Sequence, residues 1–171
     1  MIRLGKTNTL TILRQTPPGM YLGDDENEVV LLPNKFIEPE FEVGQQIDVF
    51  VYRDSEDRLI ATRLKPYAEV NHFAYLNVSE VSKVGAFLDW GLEKDLFVPF
   101  KEQKQKMIEG HSYVVYIYID ELSERIVGSS KINKFISNEV LQVEQGEEVD
   151  LLVYNETDLG YTCVINEMHK G

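Results

Sequence analysis

Cysteine is almost missing from this chain: Cys163 is the only one in 171 residues. That excludes an internal disulfide framework and any cluster of metal-binding thiolates. No run reaches the ~18 consecutive apolar residues a membrane-crossing helix needs. The opening Met1-Ile2-Arg3-Leu4-Gly5-Lys6 also lacks the apolar stretch of a signal peptide. Cations are scarce, 17 Lys and Arg against 29 Asp and Glu, for a net charge of −12. A chain so acidic repels a polyanion at long range, so any contact with nucleic acid must be local. The three histidines, His72, His111 and His169, are scattered without metal-ligand spacing. No Gly-x-Ser-x-Gly, phosphate-binding glycine loop or zinc-protease helix is present, and no carboxylate pair has a spacing suited to acid–base work. These absences point to a soluble cytoplasmic protein that is no enzyme and needs neither metal nor cofactor.

What the chain does have is a repeat. Gly19-Met20-Tyr21-Leu22 returns as Gly85-Ala86-Phe87-Leu88, an offset of 66. Leu32-Pro33 returns as Val98-Pro99, Gly44 as Gly110 and Asp54 as Asp120, all at 66. Arg58-Leu59-Ile60 returns as Arg125-Ile126-Val127 at 67, one extra residue in a turn. A unit this long exceeds the usual solenoid repeat, so each copy is expected to be a domain with its own core. With 43% hydrophobic and 11% aromatic residues the composition can fill such cores. Domains of about 65 residues are near the lower limit for folding alone, so neighbouring copies are expected to support one another.

Turn signals recur every 8 to 14 residues, among them Pro17-Pro18-Gly19, Asp54-Ser55-Glu56-Asp57 and Asp158-Leu159-Gly160. Short β-branched and aromatic runs lie between them, the pattern of an all-β protein. In Tyr113 to Ile119, Val115, Ile117 and Ile119 share one face and Val114, Tyr116 and Tyr118 the other. The first copy matches it, with Val49 and Val51 against Phe50 and Tyr52. Each copy reads as three strands, a polar connector (34–43 or 100–109) and a hairpin, which is the order of a five-stranded OB-fold barrel. Lys101 to Lys106 is read as a candidate short helix. The expected division is 1–66, 67–134 and 135–171, the last an incomplete third repeat. There Val149 to Tyr154 and Tyr161 to Ile165 read as strands. They open a third copy if Gly160-Tyr161 is its Gly-x-aromatic step, or close a hairpin if Gly146 to Asp150 aligns with Gly44 to Asp48.

The second copy, with Val81-Ser82-Lys83-Val84-Gly85-Ala86-Phe87-Leu88-Asp89, Leu96-Phe97-Val98-Pro99, Ile119-Asp120 and Arg125-Ile126-Val127-Gly128-Ser129-Ser130-Lys131, resembles an S1 RNA-binding domain. The first copy resembles it more loosely. The whole arrangement is similar to the conserved virulence factor B family, bacterial RNA-binding regulators with several S1 modules and a winged-helix domain. That likeness implies that a C-terminal part is absent here. In the S1 family the RNA face holds two aromatics, a histidine, an aspartate and an arginine. The resemblance carries these to Phe87, Asp120 and Arg125 in the second copy and to Tyr21, Asp54 and Arg58 in the first. Val84 replaces the first aromatic, and Pro99 and Pro33 replace the histidine.

Strand parity puts Phe87 with Asp89 on the outward face and Ala86, Leu88 and Trp90 inward. Phe87 there either stacks a base or covers a domain junction; Tyr21 reads alike. Trp90 is expected to cap the barrel core, and Phe97 either extends the stacking surface or packs. Asp120 and Arg125 bracket a tight turn, where they either pair with each other and the turn amides or offer Arg125 to a phosphate. Lys83, Lys101, Lys104, Lys106 and Lys131 form either a solvated surface or a phosphate-tracking rim. Two readings follow: a regulator binding single-stranded RNA through the second barrel, or a scaffold of barrels with protein partners that has lost the RNA face.

Overall fold

The computed structural model describes residues 1–135 in full and the backbone of 151–157, 160–165 and 169–170. The first barrel is built from β1 (Thr7–Thr16), β2 (Gly19–Gly23), β3 (Val29–Pro33), β4 (Gln46–Arg53) and β5 (Leu59–Thr62), closed in the order β1-β2-β3-β5-β4. The second repeats it with β6 (Phe73–Val81), β7 (Gly85–Asp89), β8 (Leu96–Pro99), β9 (Ser112–Ile119) and β10 (Ile126–Ser129). Each barrel closes through one parallel contact, Leu31 beside Ile60 and Phe97 beside Val127. The chain is thus all-β, with tandem five-stranded barrels of the expected strand order.

The repeat exists because the cores repeat. Ile12, Leu22, Leu32, Val49 and Val51 are sealed inside the first barrel, and Val78, Leu88, Val98, Val115 and Ile117 inside the second. Each pair lies 66 residues apart. The repeated glycine has a steric cause. Gly19 faces Pro33 and Gly85 faces Pro99 across a tight strand pair. A Cβ on Gly19 would lie 2.1 Å from the Leu32 carbonyl oxygen, and one on Gly85 2.5 Å from that of Val98. Beyond the barrels, β11 (Leu151–Thr157), β12 (Gly160–Ile165) and β13 (His169–Lys170) pair in that order. The β11–β12 register slips between Val153 and Asn155, as β1–β2 slips between Ile12 and Arg14 and β6–β7 between Val78 and Glu80. The β11–β12 pair thus shares this slip with the first strand pair of each barrel. At that slip Thr162 takes the register position of Tyr21 and Phe87. Cys163 and His169 lie on these strands, whose side chains are outside the described residues, as is the expected boundary segment 136–150.

One expectation needs correction and another is extended. The connector 101–106 is no helix: a single 3₁₀ turn spans Phe100–Glu102, as Asn34–Phe36 does in the first barrel. Glu102 and Gln103 are drawn into the barrel instead. The Gln103 amide donates to the Val98 carbonyl and accepts from the Met107 N–H, while the Glu102 carbonyl accepts from the Ser130 N–H. Trp90 does more than cap its own barrel. It meets Phe50 of the first barrel edge-on at 5.7 Å. Phe50 and Tyr52 point out of the first barrel, yet both are buried in the second barrel's core cluster. The two barrels therefore share one apolar seam. Around it Lys35 pairs with Glu93, and the Lys94 ammonium donates to the Asp54 carbonyl at 3.0 Å. At Gly5, with φ of +74°, a Cβ would strike Val70 at 2.0 Å, so the first barrel's lead-in presses directly on the linker.

Candidate nucleic-acid interface

The outward row across β7, β8 and β10 is Phe87, Phe97 and Val127, set side by side by the strand register. Alternation forces the placement: Ala86, Leu88, Leu96 and Val98 fill the core, so Phe87 and Phe97 are half-buried on the other face. Their rings lie 5.3 Å apart, inclined at 38°. They line a cleft of about 350 Å³ together with Val84, Ile126 and Arg125. The opposite wall comes from the first barrel: Tyr52, Arg53 and Asp57. The cleft therefore lies between the barrels, walled by both.

The sequence-predicted residues divide here. Phe87, Phe97 and Arg125 come together in the cleft, and Lys83 is exposed beside Val84 at its margin. Lys101 and Lys104 are exposed on the connector after β8 and do not line it, nor does Asp120. In the first barrel the matching row is Tyr21, Leu31 and Ile60. The Arg14 guanidinium lies over the Tyr21 ring at 4.5 Å, a cation–π contact that occupies one face of the ring. At the position of Arg14 the second barrel has Glu80.

The two turns also differ, and the extra residue of the second is the cause. In the first, Asp54 accepts from the Glu56 and Arg58 amides and from Arg58 Nε at 3.0 Å, so carboxylate and arginine pair as expected. Burial opposes ionisation of Asp54, but these hydrogen bonds outweigh it and hold its carboxyl below the usual range. In the longer turn Asp120 accepts instead from the Ser123 hydroxyl and amide, which, with some help from Lys101, depress its pKa. The Arg125 guanidinium is thereby released from its own turn. It reaches across the cleft to Asp57, donating to Oδ2 from Nη2 at 2.8 Å and from Nε at 3.1 Å. The expected Asp120–Arg125 pair is thus replaced by one between barrels. Sequence reasoning missed Tyr52, Arg53, Asp57 and Lys94 as members of this cleft, because an intra-barrel repeat says nothing about how copies face each other.

Outside the cleft, the outer face of β9 carries Tyr116 and Tyr118 with Phe135 stacked on Tyr116 at 4.3 Å. Burial, then the charges of Glu102 and Asp120, push the Tyr118 phenol up to about 12. Among the described residues one acidic group, Asp24, Glu26 and Glu28, has metal-like closeness. The Met1 ammonium lies 2.8 Å from Asp24 Oδ2, and its hydrogen bond lowers the Asp24 pKa. No helix among the described residues is long and apolar enough to cross a membrane.

Residues 4–64, the first barrel, match the S1 domain family. The match thus falls on the copy in which the resemblance reads as looser. Over 98 residues the chain is 35% identical to the uncharacterized protein YitL of Bacillus subtilis, covering 57% of this chain and 33% of that protein. Over 141 residues it is 24% identical to conserved virulence factor B of Staphylococcus epidermidis, covering 78% of this chain and 47% of that one. The chain therefore spans about a third to a half of the length of these curated relatives. Among solved structures it resembles a multidomain protein with nucleic acid binding domains from Streptococcus pneumoniae. The TM-score is 0.64 at 19% identity, over 97% of this chain and 60% of that one, a likeness that establishes the fold.

Proposed function

We propose that this chain is a non-catalytic, cytoplasmic RNA-binding protein that holds single-stranded RNA on its second barrel, in the manner of a bacterial post-transcriptional regulator. The carrying observation is the Phe87–Phe97 pair, 5.3 Å apart in a cleft that also holds Arg125. Each outward aromatic offers a base a stacking surface worth about 1–3 kcal/mol. Arg125 is the cation beside them, with Lys83 at the margin and Lys101 and Lys104 farther along the backbone path. Stacking rather than charge must supply the affinity, since the net charge is −12. The S1 match, the likeness to conserved virulence factor B and the barrel topology support the assignment to RNA. The first barrel is structural in this reading: Arg14 covers Tyr21, and Arg58 is held by Asp54 and Glu56.

Fluorescence anisotropy of a labelled oligouridylate tests the proposal. Binding should be measurable at ~20 mM salt, fall linearly in log salt, and weaken about ten-fold in Phe87→Ala, or about 1.4 kcal/mol. An absence of binding at low salt would exclude RNA and favour the scaffold reading, which the acidic surface otherwise supports.

A further inference from the structure

We infer that Asp57 of the first barrel is a built-in competitor for the RNA backbone at Arg125, so that the first barrel sets the affinity of the second. The inference rests on the RNA reading above. Its geometry is specific. One carboxylate oxygen accepts from both Nε and Nη2 of Arg125, at 3.1 and 2.8 Å, the hydrogen-bonding face that a phosphate oxygen would use. Asp57 is held for the task. It occupies the left-handed region at φ 65°, its amide donates to the Asp54 carbonyl at 2.9 Å, and its carbonyl accepts from Arg53 Nη1 at 3.1 Å. The hairpin is anchored to the second barrel by Lys94, through the Asp54 carbonyl. The longer second turn leaves the Arg125 guanidinium unpaired with Asp120, whose carboxylate accepts from Ser123 instead.

The latch is weak by construction. Arg125 is 61% and Asp57 44% exposed, and pairs this exposed are loosely held in water. A phosphate can therefore displace the carboxylate, but part of the arginine's attraction is spent on doing so. While Arg125 stays on Asp57, that phosphate contact and its counterion release are withheld.

The test uses the full chain, a labelled oligouridylate and the variants Asp57→Asn, Asp57→Gly and Glu56→Gln. Asn and Gly both tolerate a left-handed turn position, so the barrel should fold, as the fluorescence of Trp90 would report. Glu56→Gln removes the same charge one residue away without touching Arg125. Both Asp57 variants should bind about two- to five-fold tighter, about 0.4–1 kcal/mol, with a log–log salt slope steeper by up to about 0.7. Arg125→Ala should erase that gain, costing more in the Asp57→Gly background than in the wild type. Equal gains from Glu56→Gln would reduce the effect to net charge and overturn the competition. Binding by the wild type with no change in the Asp57 variants would overturn it while leaving the RNA reading intact. No binding by any variant would remove both.

Discussion

The two barrels have the same inside and different outsides. Five core positions match at one offset, and the bulge on the first strand and the glycine opposite the proline match with them. Across the outward row, Tyr21, Leu31 and Ile60 stand where the second barrel has Phe87, Phe97 and Val127. One aromatic covered by an arginine replaces two facing an open cleft. The outer tyrosines differ as well: Tyr52 is sealed by the second barrel, whereas Tyr118 is half-buried beside Phe135. An identical scaffold thus carries two different outer faces. The first barrel's Phe50 and Tyr52 hold its neighbour, whereas Phe87 and Phe97 of the second line the cleft.

The strongest way to break this comparison is to remove the seam. Trp90→Ala should cost about 3–5 kcal/mol, the range for deleting a buried aromatic, and should split urea unfolding into separate barrel transitions. Phe135→Ala, which uncovers the corresponding face of the second barrel, should cost only about 1 kcal/mol because the ring is half-exposed. Equal losses would mean that the seam is no special feature of the first barrel. Glycine tests the shared part. Gly85→Ala and Gly19→Ala should each destabilise by about 1–3 kcal/mol, the penalty for overpacking a tight site, and to similar extents in thermal melts. A smaller effect, confined to ligand binding, separates the barrels again. Phe87→Ala should weaken oligouridylate binding about ten-fold, or about 1.4 kcal/mol, whereas Tyr21→Ala should change it less than about two-fold, because Arg14 already occupies that ring.

The mildest distinction is one of pH. Tyr118 keeps its proton to about 12, so the folded chain holds a proton that the unfolded chain loses above the ordinary value of 10.0. The stability linked to this group is full below pH 10.0 and is lost as pH rises towards about 12. Burial raises Tyr52 in the same direction. Phenolate absorbance should therefore show late-titrating tyrosines in the native chain, with one fewer in Tyr118→Phe. A titration of Tyr118 at its ordinary value would contradict its placement beside Glu102 and Asp120.

What could be read from the sequence was whatever a single barrel enforces. Alternation placed Phe87 outward and Leu88 inward because a strand offers no other choice. The offset between Gly19 and Gly85 was legible because both backbones must approach a neighbouring strand. Lys101 to Lys106 looked helical by composition, but Gln103 and Met107 are buried in the barrel and outweigh that preference. The contacts of Trp90 with Phe50 and of Arg125 with Asp57 were illegible for a different reason. Each joins residues of two copies, and no repeat encodes the angle at which its copies meet. The first barrel's wall of the cleft, Tyr52, Arg53 and Asp57, was hidden by that gap.

Photocrosslinking with a thiouridine-substituted RNA, followed by mass spectrometry of the linked peptides, tests the division of labour most directly. If the second barrel reads RNA, crosslinks will fall on the peptides carrying Phe87 and Phe97, with a minority on the Asp57 hairpin opposite. Crosslinks centred on Tyr21, or spread evenly over both barrels, would contradict it.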